Sequence, residues 1–360
     1  MNITRLLAII VKELRQLRRD RLTFGMILGI PTMQLLLFGF AINLDIRHLD
    51  AAIVDQSQTA HSREIVATLQ ATGLLDLKAS ATTPSQLQDL LRTGKISVGI
   101  VLPPDLEARL ERRDRPAMQV MVDGSDQTVQ AAARQLSAIP LPGGRPVYQG
   151  VEVVNFYNPE RRAPVNSVPG LIGMILTMTL VMFTGMALVR ERERGNLEML
   201  IATPVSPWEL TLGKILPFVA IGLVQVTVVL LLGKLVFAVP IRGSILEVYA
   251  ASLLFIIANL SLGILISTLA KSQFQAMQLA FFTFLPQILL SGFMFPYAGM
   301  PRAAQWLAEI LPMTHFVRLI RGIMVRAAGL GDMPMEMLAL AIIGAVLLTI
   351  STRRIHKRLD

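Results

Sequence analysis

The sequence predicts an α-helical polytopic membrane protein with six transmembrane helices and an extracytoplasmic α/β domain inserted between helices 1 and 2. Its 360 residues are 53% hydrophobic and only 16% charged, with a mean hydropathy of +0.55, whereas soluble domains carry about 25% charged residues. Apolar runs of about 18 to 24 residues, long enough to cross a bilayer as helices, recur along the chain. They begin near Leu22, Asn166, Pro217, Val248, Phe274 and Met335.

The residues before the first apolar run have the spacing of an amphipathic helix. Apolar residues share one face and basic residues occupy the others, a pattern typical of a helix lying on a membrane surface. We therefore expect a cytoplasmic interfacial helix over 1–21, followed by the first span over 22–44. A helix packed on a soluble partner would show the same pattern.

Residues 45–165 form the predicted α/β domain. Acidic and basic side chains nearly balance in this segment, so the net charge of +9 belongs to the rest of the chain. Short β-rich runs alternate here with helical patterns that begin at Asp, Ser or Pro or end at Gly. The predicted strands are AAIVD (51–55), LLDLKA (74–79), ISVGIVLP (96–103) and AMQVMVD (117–123).

The basic residues of the short connections predict the orientation of the spans. With six spans, four groups of Lys and Arg residues fall on the same side of the membrane. They are those before the first span, those at 190–214, Lys271 and those at 353–358. Since positively charged connections stay in the cytoplasm, both termini are expected there. Topology and anionic membrane lipid account for the positive charge, so nucleic acid is not an expected partner.

The connection at 190–216, which we call the elbow, reads RERERGNLEMLIATPVSPWELTLGKIL from its first residue. Gly195 permits a bend, and Pro204 and Pro207 limit the short amphipathic stretch that follows. This pattern predicts a rigid, charged elbow in the cytoplasm. A plain solvated turn is the alternative, although a turn needs only a few residues.

The elbow resembles the first cytoplasmic loop of ABC-2 type transporter permeases, whose usual pattern is E-x-E-x-G-T-x-E-x-L-x-x-T-P followed by E-L and G-K. Asn196 stands where Thr is commoner. Four further stretches are similar to other parts of that family, namely 12–24, 100–127, 155–173 and 272–323. The stretch 100–127 is similar to the outer domain of the family's drug-efflux-like branch. The matching elbow residues are Glu191, Glu193, Gly195, Glu198, Leu200, Thr203, Pro204, Glu209, Leu210, Gly213 and Lys214.

The resemblance implies a permease that exports a hydrophobic or amphipathic substrate from the cytoplasm or inner membrane of a bacterium. It implies an ATP-binding subunit and a second permease half, the same or different, as partners. A periplasmic adaptor and membrane lipid are further expected partners. The elbow would dock on the ATP-binding subunit, and the implied coupling residues are Glu191, Glu193, Gly195, Glu198, Thr203, Pro204 and Glu209.

The chain is not expected to be an enzyme. It has no G-x-x-x-x-G-K-[ST] phosphate loop, because Gly213-Lys214 and Gly233-Lys234 are followed by Ile and Leu. ATP and Mg²⁺ are therefore expected on the partner subunit, with no cofactor on this chain. The four histidines are scattered along the sequence and no cysteine is present, so no metal site is expected.

Residues 298–334 are too polar, and too broken by Pro301, Pro312 and Gly322, to form a span. They predict two short helices at the outer interface. By resemblance to the family these helices close the exit of the pathway. The alternative is that they lie at the lipid head groups without a role in transport. The two apolar faces comprise Trp306, Leu307, Ile310 and Leu311, and then Phe316, Leu319, Ile320 and Ile323.

Uncharged polar residues within the spans are the candidates for lining a pathway. Gln34, Gln275, Gln278 and Gln287 are the predicted set. Gln287 is favoured because it follows Pro286, which frees a backbone carbonyl that needs a polar partner. Hydrogen bonding between helices is the alternative role.

Two other functions remain open from the residues alone. An ion-coupled secondary transporter is disfavoured, because such carriers usually need an acid or histidine inside a span and none is evident. A membrane-anchored receptor would bind its ligand in the α/β domain without transport.

Overall fold

The computed structural model describes residues 48–126, 129–131, 136, 151–193 and 207–356. The predicted interfacial helix (1–21), the predicted first span (22–44) with Gln34, and the elbow residues 194–206 lie outside these residues. The corresponding assignments therefore stay predictions.

The first described unit, which we call the sheet domain, contains a five-stranded sheet. Its spatial order is β2-β1-β3-β4-β5. β1 is parallel to β2 and β3, β4 is antiparallel to β3, and β5 is parallel to β4. The strands are β1 (Leu49–Asp55), β2 (Leu75–Ser80), β3 (Val98–Leu102), β4 (Met118–Asp123) and β5 (Val151–Phe156).

Three helices connect the first four strands in sequence. Threonine hydroxyls cap the first two of them, because Thr59 and Thr83 accept hydrogen bonds from the backbone N–H groups of Ser62 and Gln86. Every residue of β3 is buried, as expected for a central strand with both faces covered. The helices are α1 (Ala60–Ala71), α2 (Pro84–Arg92) and α3 (Leu106–Arg112).

The predicted α/β region is confirmed, and its four predicted strands correspond to β1 to β4. The sequence analysis missed β5. This strand lies at the edge of the sheet, and only Val151 is buried in it. It therefore lacks the apolar run that marks the central strands. It follows a long gap after β4 and leads directly toward the first described span.

Four described helices are long and apolar enough to cross a bilayer. The 31 residues of the first extend about 46 Å at 1.5 Å per residue, which exceeds the hydrocarbon thickness of about 30 Å. Its charged last turn, 190–193, can therefore reach beyond the apolar layer. The four are α4 (Ala163–Glu193), α5 (Pro207–Leu235, with its candidate span at Leu216–Leu235), α6 (Ile245–Leu269) and α10 (Pro334–His356, with its candidate span at Pro334–Arg354).

The apolar run that begins near Phe274 forms α7 (Gln273–Leu290), an 18-residue helix with Pro286 inside it. It is not among the four, because glutamines at 273, 275, 278 and 287 lower its mean hydropathy. With the first run outside the described residues, the count of six spans stays a prediction.

α4 and α6 approach each other closely through a glycine. A Cβ atom at Gly263 of α6 would lie 2.9 Å from the carbonyl oxygen of Val181 and 3.0 Å from the Cβ atom of Thr184 in α4. Small residues permit such close approach between helices in membranes. α4 and α6 thus form a tightly packed pair at the centre of the described bundle.

Residues 298–334 contain α8 (Arg302–Ile310) and α9 (Pro312–Arg326). In α8 the apolar side chains Trp306, Leu307 and Ile310 are 74%, 56% and 66% exposed. This helix therefore presents an apolar face to its surroundings, as an interfacial helix would.

α9 has a different environment. Its apolar residues Phe316, Leu319, Ile320 and Ile323 are fully buried. The ring of Phe316 stacks on that of Phe255 in α6, with 4.2 Å between centroids. Amphipathic spacing predicted a short helix with one apolar face, and α9 buries that face against the bundle. Its location at the outer interface stays a prediction.

Ion pairs join the sheet domain to α9 and the turn that follows it. Arg326 contacts Asp123 at 3.1 Å, and Arg321 contacts Asp126 at 3.1 Å. Arg92 at the end of α2 contacts Asp332 at 2.5 Å. Arg326 and Asp123 are 11% and 7% exposed, so this pair is shielded from water and salt.

His315 and four side chains around it, which we call the His315 cluster, join α8, α9, α10 and the turn before α8. His315 Nδ1 lies 2.5 Å from a carboxylate oxygen of Glu336, and Nε2 lies 2.8 Å from the carbonyl oxygen of Glu309. Arg318 donates to both Glu309 (2.7 Å) and Glu336 (3.0 Å) and lies over the ring of Tyr297. The sequence analysis treated His315 as isolated, because its partners are distant in the chain or on another helix.

The cluster favours a charged imidazole. Burial lowers the pKa of His315, but hydrogen bonds with Glu336 and the Glu309 carbonyl outweigh burial and raise it above its usual value. Both ring nitrogens face acceptors, so each carries a proton. Burial, with the neighbouring Glu309 carboxylate, raises the pKa of Tyr297 to about 12.

We expect the stability of the bundle to depend on the protonation of His315. Because its folded pKa is raised, its stabilisation is complete below the pKa of the unfolded chain and is lost as pH rises through the folded value. His315→Asn should destabilise the protein by about 3 kcal/mol at low pH, since it breaks a buried pair. Thermal unfolding in detergent from about pH 5.5 to about pH 9 would measure this loss across the range of histidine titration.

The control for this experiment is His61→Asn, which removes an exposed histidine that contacts Glu107 in the sheet domain. It should lower the free energy of unfolding by less than about 1 kcal/mol, because exposed ion pairs contribute little to stability. A wild-type midpoint that does not fall toward alkaline pH would contradict the assignment of a charged His315.

Candidate functional site

The last turn of α4 contacts the turn between α6 and α7. Glu193 accepts two hydrogen bonds from Gln273, one from the backbone N–H (3.0 Å) and one from the side-chain amide (2.6 Å). Arg190 donates to the side-chain oxygen of Gln273 at 3.3 Å. Arg192 donates to the carbonyl oxygen of Ala270. Two arginines and one glutamate of the last turn of α4 thus bind one short turn.

The alternating signs match the helix ends that they meet. Ala270 follows the last residue of α6, where backbone carbonyls lack helical partners, and Gln273 is the first residue of α7, where N–H groups lack them. A cation is favourable at the first position and an anion at the second. This geometry accounts for the order of Arg192 and Glu193 in the sequence.

An apolar cavity of about 340 Å³ lies between α4 and α7. A single polar side chain, that of Gln278, lines it, and the Oε1 atom of Gln278 is buried without a hydrogen-bond partner among the described residues. The arrangement can accommodate a small apolar group and offers it one amide. The lining residues are Met178, Met182, Met277, Gln278, Ala280, Phe281 and Phe284.

The predicted pathway residues of α7 lie in three different environments. Gln278 lines the cavity, whereas Gln275 accepts a hydrogen bond from the Lys271 N–H in the α6–α7 turn at 2.8 Å. Gln287 is 1% exposed, and neither polar atom of its side chain has a partner in the described part of the chain. Gln34 lies outside the described residues. The structure therefore places only Gln278 at the cavity.

The predicted coupling residues are described only in part. Glu191 lies half-buried in the last turn of α4 beside Glu193. Glu209 lies in the first turn of α5, whose side chains there are not described. The remaining four, Gly195, Glu198, Thr203 and Pro204, lie outside the described residues.

Sequence reasoning missed the cavity methionines. Met178, Met182 and Met277 belong to runs so apolar that no position stands out from its neighbours. Methionine is flexible and polarizable, which suits it to irregular contacts, and its recurrence in α4 was the available signal. Across the described ranges, no group of three His, Cys, Asp or Glu residues is arranged to hold a metal ion.

Comparison with known proteins agrees with this architecture. The chain matches the ABC-2 family transporter proteins over residues 21–353. It is 30% identical over 335 residues to the probable multidrug ABC transporter permease YbhR of Escherichia coli (strain K12), covering 91% of each chain. It is 31% identical to the probable multidrug ABC transporter permease YbhS of the same organism, covering 89% of this chain and 88% of YbhS.

A third relative is the inner membrane transport permease YhhJ of Escherichia coli (strain K12), with 29% identity over 364 residues and 96% of each chain covered. These alignments include the sheet domain, the elbow and the described spans, since each extends over nearly the whole chain. The chain therefore belongs to the ABC-2 family of transporter proteins.

Proposed function

We propose that the chain is the permease subunit of an ATP-driven exporter, which moves a hydrophobic or amphipathic substrate out of the cytoplasm or the inner membrane. The observation that carries this proposal is the family match over residues 21–353. The cavity between α4 and α7 supports it, because apolar walls with few polar groups are typical of small-molecule sites.

Energy for transport comes from a separate ATP-binding subunit. The sequence lacks a phosphate loop, and the relatives YbhR and YbhS are named as permeases. ATP and Mg²⁺ bind to that partner, and this chain binds no cofactor of its own. A second permease half, identical or different, completes the transporter, and a periplasmic adaptor and membrane lipid are further partners.

The cavity between α4 and α7 is part of the substrate pathway. Its methionine and phenylalanine walls adapt to apolar groups of different shapes, which agrees with the word multidrug in the names of YbhR and YbhS. Gln278 provides the polar contact. Gln34, Gln275 and Gln287 are the other pathway candidates.

The protein lies in the bacterial inner membrane with six spans and both termini in the cytoplasm. α7 and the segment 22–44 complete the set of spans, and the sheet domain lies outside the cytoplasm. The basic residues at the end of α4 and at 353–358 support this orientation.

The elbow is the docking contact for the ATP-binding subunit. It begins in the charged last turn of α4, and the resemblance of its sequence to the family's first cytoplasmic loop supports the assignment. The contact residues are Glu191, Gly195, Glu198, Thr203, Pro204 and Glu209. Glu193, which the resemblance also includes, is left out of this contact because its carboxylate binds Gln273 of the same chain.

The cavity assignment leads to a prediction for Met182→Trp. The larger ring should fill part of the cavity and reduce substrate efflux from cells at least about fivefold, while the protein still reaches the membrane, since apolar replacements are tolerated where space exists. The matched control is Met335→Trp, because Met335 is 74% exposed on α10. Normal efflux with Met182→Trp would exclude this cavity from the pathway.

A second prediction concerns Glu198→Arg. Reversing a charge in a docked contact costs about 2 to 5 kcal/mol when its partner is left unpaired, so the ATP-binding subunit should largely fail to copurify and efflux should fall. Membrane level should hold, because the change is made outside the spans. Glu64→Arg, on the exposed surface of α1, is the control. Normal recovery of the subunit with Glu198→Arg would show that the elbow is only a turn.

A third prediction tests the orientation with single cysteines, which the natural chain lacks. Ala67→Cys, on the exposed face of α1, should react with a membrane-impermeant maleimide added to intact spheroplasts. Asn196→Cys in the elbow should react only after permeabilisation. Labelling of Asn196→Cys from outside would reverse the topology and refute docking of the elbow.

A further inference from the structure

Glu193 has a partner within its own chain. Both of its carboxylate oxygens accept hydrogen bonds from Gln273, the first residue of α7. The resemblance that assigns the elbow to docking includes Glu193 among the docking residues. The structure places this carboxylate against a cavity-lining helix instead.

We propose that Glu193 is a positioning residue that ties α7 to the elbow, so that a displacement of the elbow moves one wall of the cavity. This inference rests on the proposed function, since it presumes that the elbow is displaced by an ATP-binding subunit. It adds a route by which that displacement reaches the substrate site.

The geometry of the contact suits the transmission of movement from the last turn of α4 to α7. One of the two hydrogen bonds ends on the backbone of Gln273, so it holds the helix itself as well as a flexible side chain. Met277 and Gln278 follow Gln273 by about one turn, some 6 Å along the axis at 1.5 Å per residue. A shift at Gln273 therefore reaches the first lining residues of the cavity with little loss.

Capping alone does not account for the contact. α7 already has its own cap, because the Ser272 hydroxyl accepts a hydrogen bond from the Gln275 N–H at 3.3 Å. Glu193 adds a connection from a different helix. Since Glu193 is exposed, water competes for its hydrogen bonds, and the contact contributes little to folding stability.

Arg192 and Arg190 hold the same turn from the same side. Arg192 binds the carbonyl oxygen of Ala270, and Arg190 binds the side chain of Gln273. The turn between α6 and α7 is thus held at both ends by the final turn of α4. The elbow begins in this turn of α4, so its movement and that of the α6–α7 turn are linked.

The test is a double-mutant cycle in the complete transporter, purified with its ATP-binding subunit. The variants are Glu193→Ala, Gln273→Ala and the double variant, with Glu160→Ala in the sheet domain as the matched control. Glu160 is an exposed glutamate far in sequence from the elbow. Basal ATP hydrolysis, drug-stimulated hydrolysis, subunit recovery and membrane level are measured for each, with hydrophobic dyes as the drug probes.

We expect Glu193→Ala to lower stimulated hydrolysis about tenfold and to change basal hydrolysis and subunit recovery less than about twofold, because coupling and docking are separate contacts. Gln273→Ala should have a smaller effect, since its backbone N–H still binds Glu193. The double variant should match Glu193→Ala. A purely structural role would lower basal and stimulated hydrolysis together.

Three results would overturn the inference. They are unchanged stimulation in Glu193→Ala, effects of the two single variants that multiply in the double variant, and loss of the subunit to the extent seen with Glu198→Arg. If Glu193→Ala fails to reach the membrane, Gln273→Ala decides, and normal stimulation in that variant refutes the link. Absence of any ATP-binding subunit from wild-type preparations would instead refute the proposed function itself.

Discussion

The absence of water from the centre of a bilayer is the constraint on which the rest of this structure depends. Charges within a span are costly unless they lie near its ends or meet a partner. α7 carries no charged residue, and the charges of α4 are confined to its last turn. The exclusion of charge from the middle of the bundle concentrates polar chemistry in two layers, at Glu193 and Gln273 and around His315.

The His315 cluster has a structural role beyond the pairing of its own charges. Glu336 lies in the first turn of α10. His315 and Arg318, which are both on the buried helix α9, pair with its carboxylate there. The same helix, α9, carries Arg321 and Arg326 to the sheet domain. Because α9 packs by its apolar face against α6, the sheet domain is attached to the core of the bundle and not only to a surface loop.

The fold was predictable where one physical signal dominates. Long apolar runs identified the spans, and short β-rich runs identified the central strands. Edge strand β5 was missed, and the burial of the apolar face of α9 was not foreseen, because the environments of both elements are set by distant segments. An amphipathic pattern shows that one face of a helix is apolar, but it does not show whether lipid or protein covers that face.

The same limit applies to the candidate site. The charges of the elbow were visible in the sequence, and so was their likeness to a family pattern. The pairing of Glu193 with Gln273 was not, since it joins residues 80 positions apart. Gln275, Gln278 and Gln287 were predicted together because they are uncharged polar residues within an apolar run, yet of these three only Gln278 lines the cavity. The three glutamines point in different directions around α7, so each meets a different neighbouring segment.

The position of the cavity follows from how differently α4 packs on α6 and on α7. Against α6, Gly263 brings the two backbones into close contact and leaves little freedom. Against α7, Glu193 contacts Gln273 at one end, and Val181 shares a buried cluster with Ala276 and Ala280, but an apolar cavity remains beside these contacts. Pro286 further removes a backbone hydrogen bond from α7. The cavity therefore lies at the α4–α7 boundary and not at the α4–α6 boundary, where the two backbones leave no room for it.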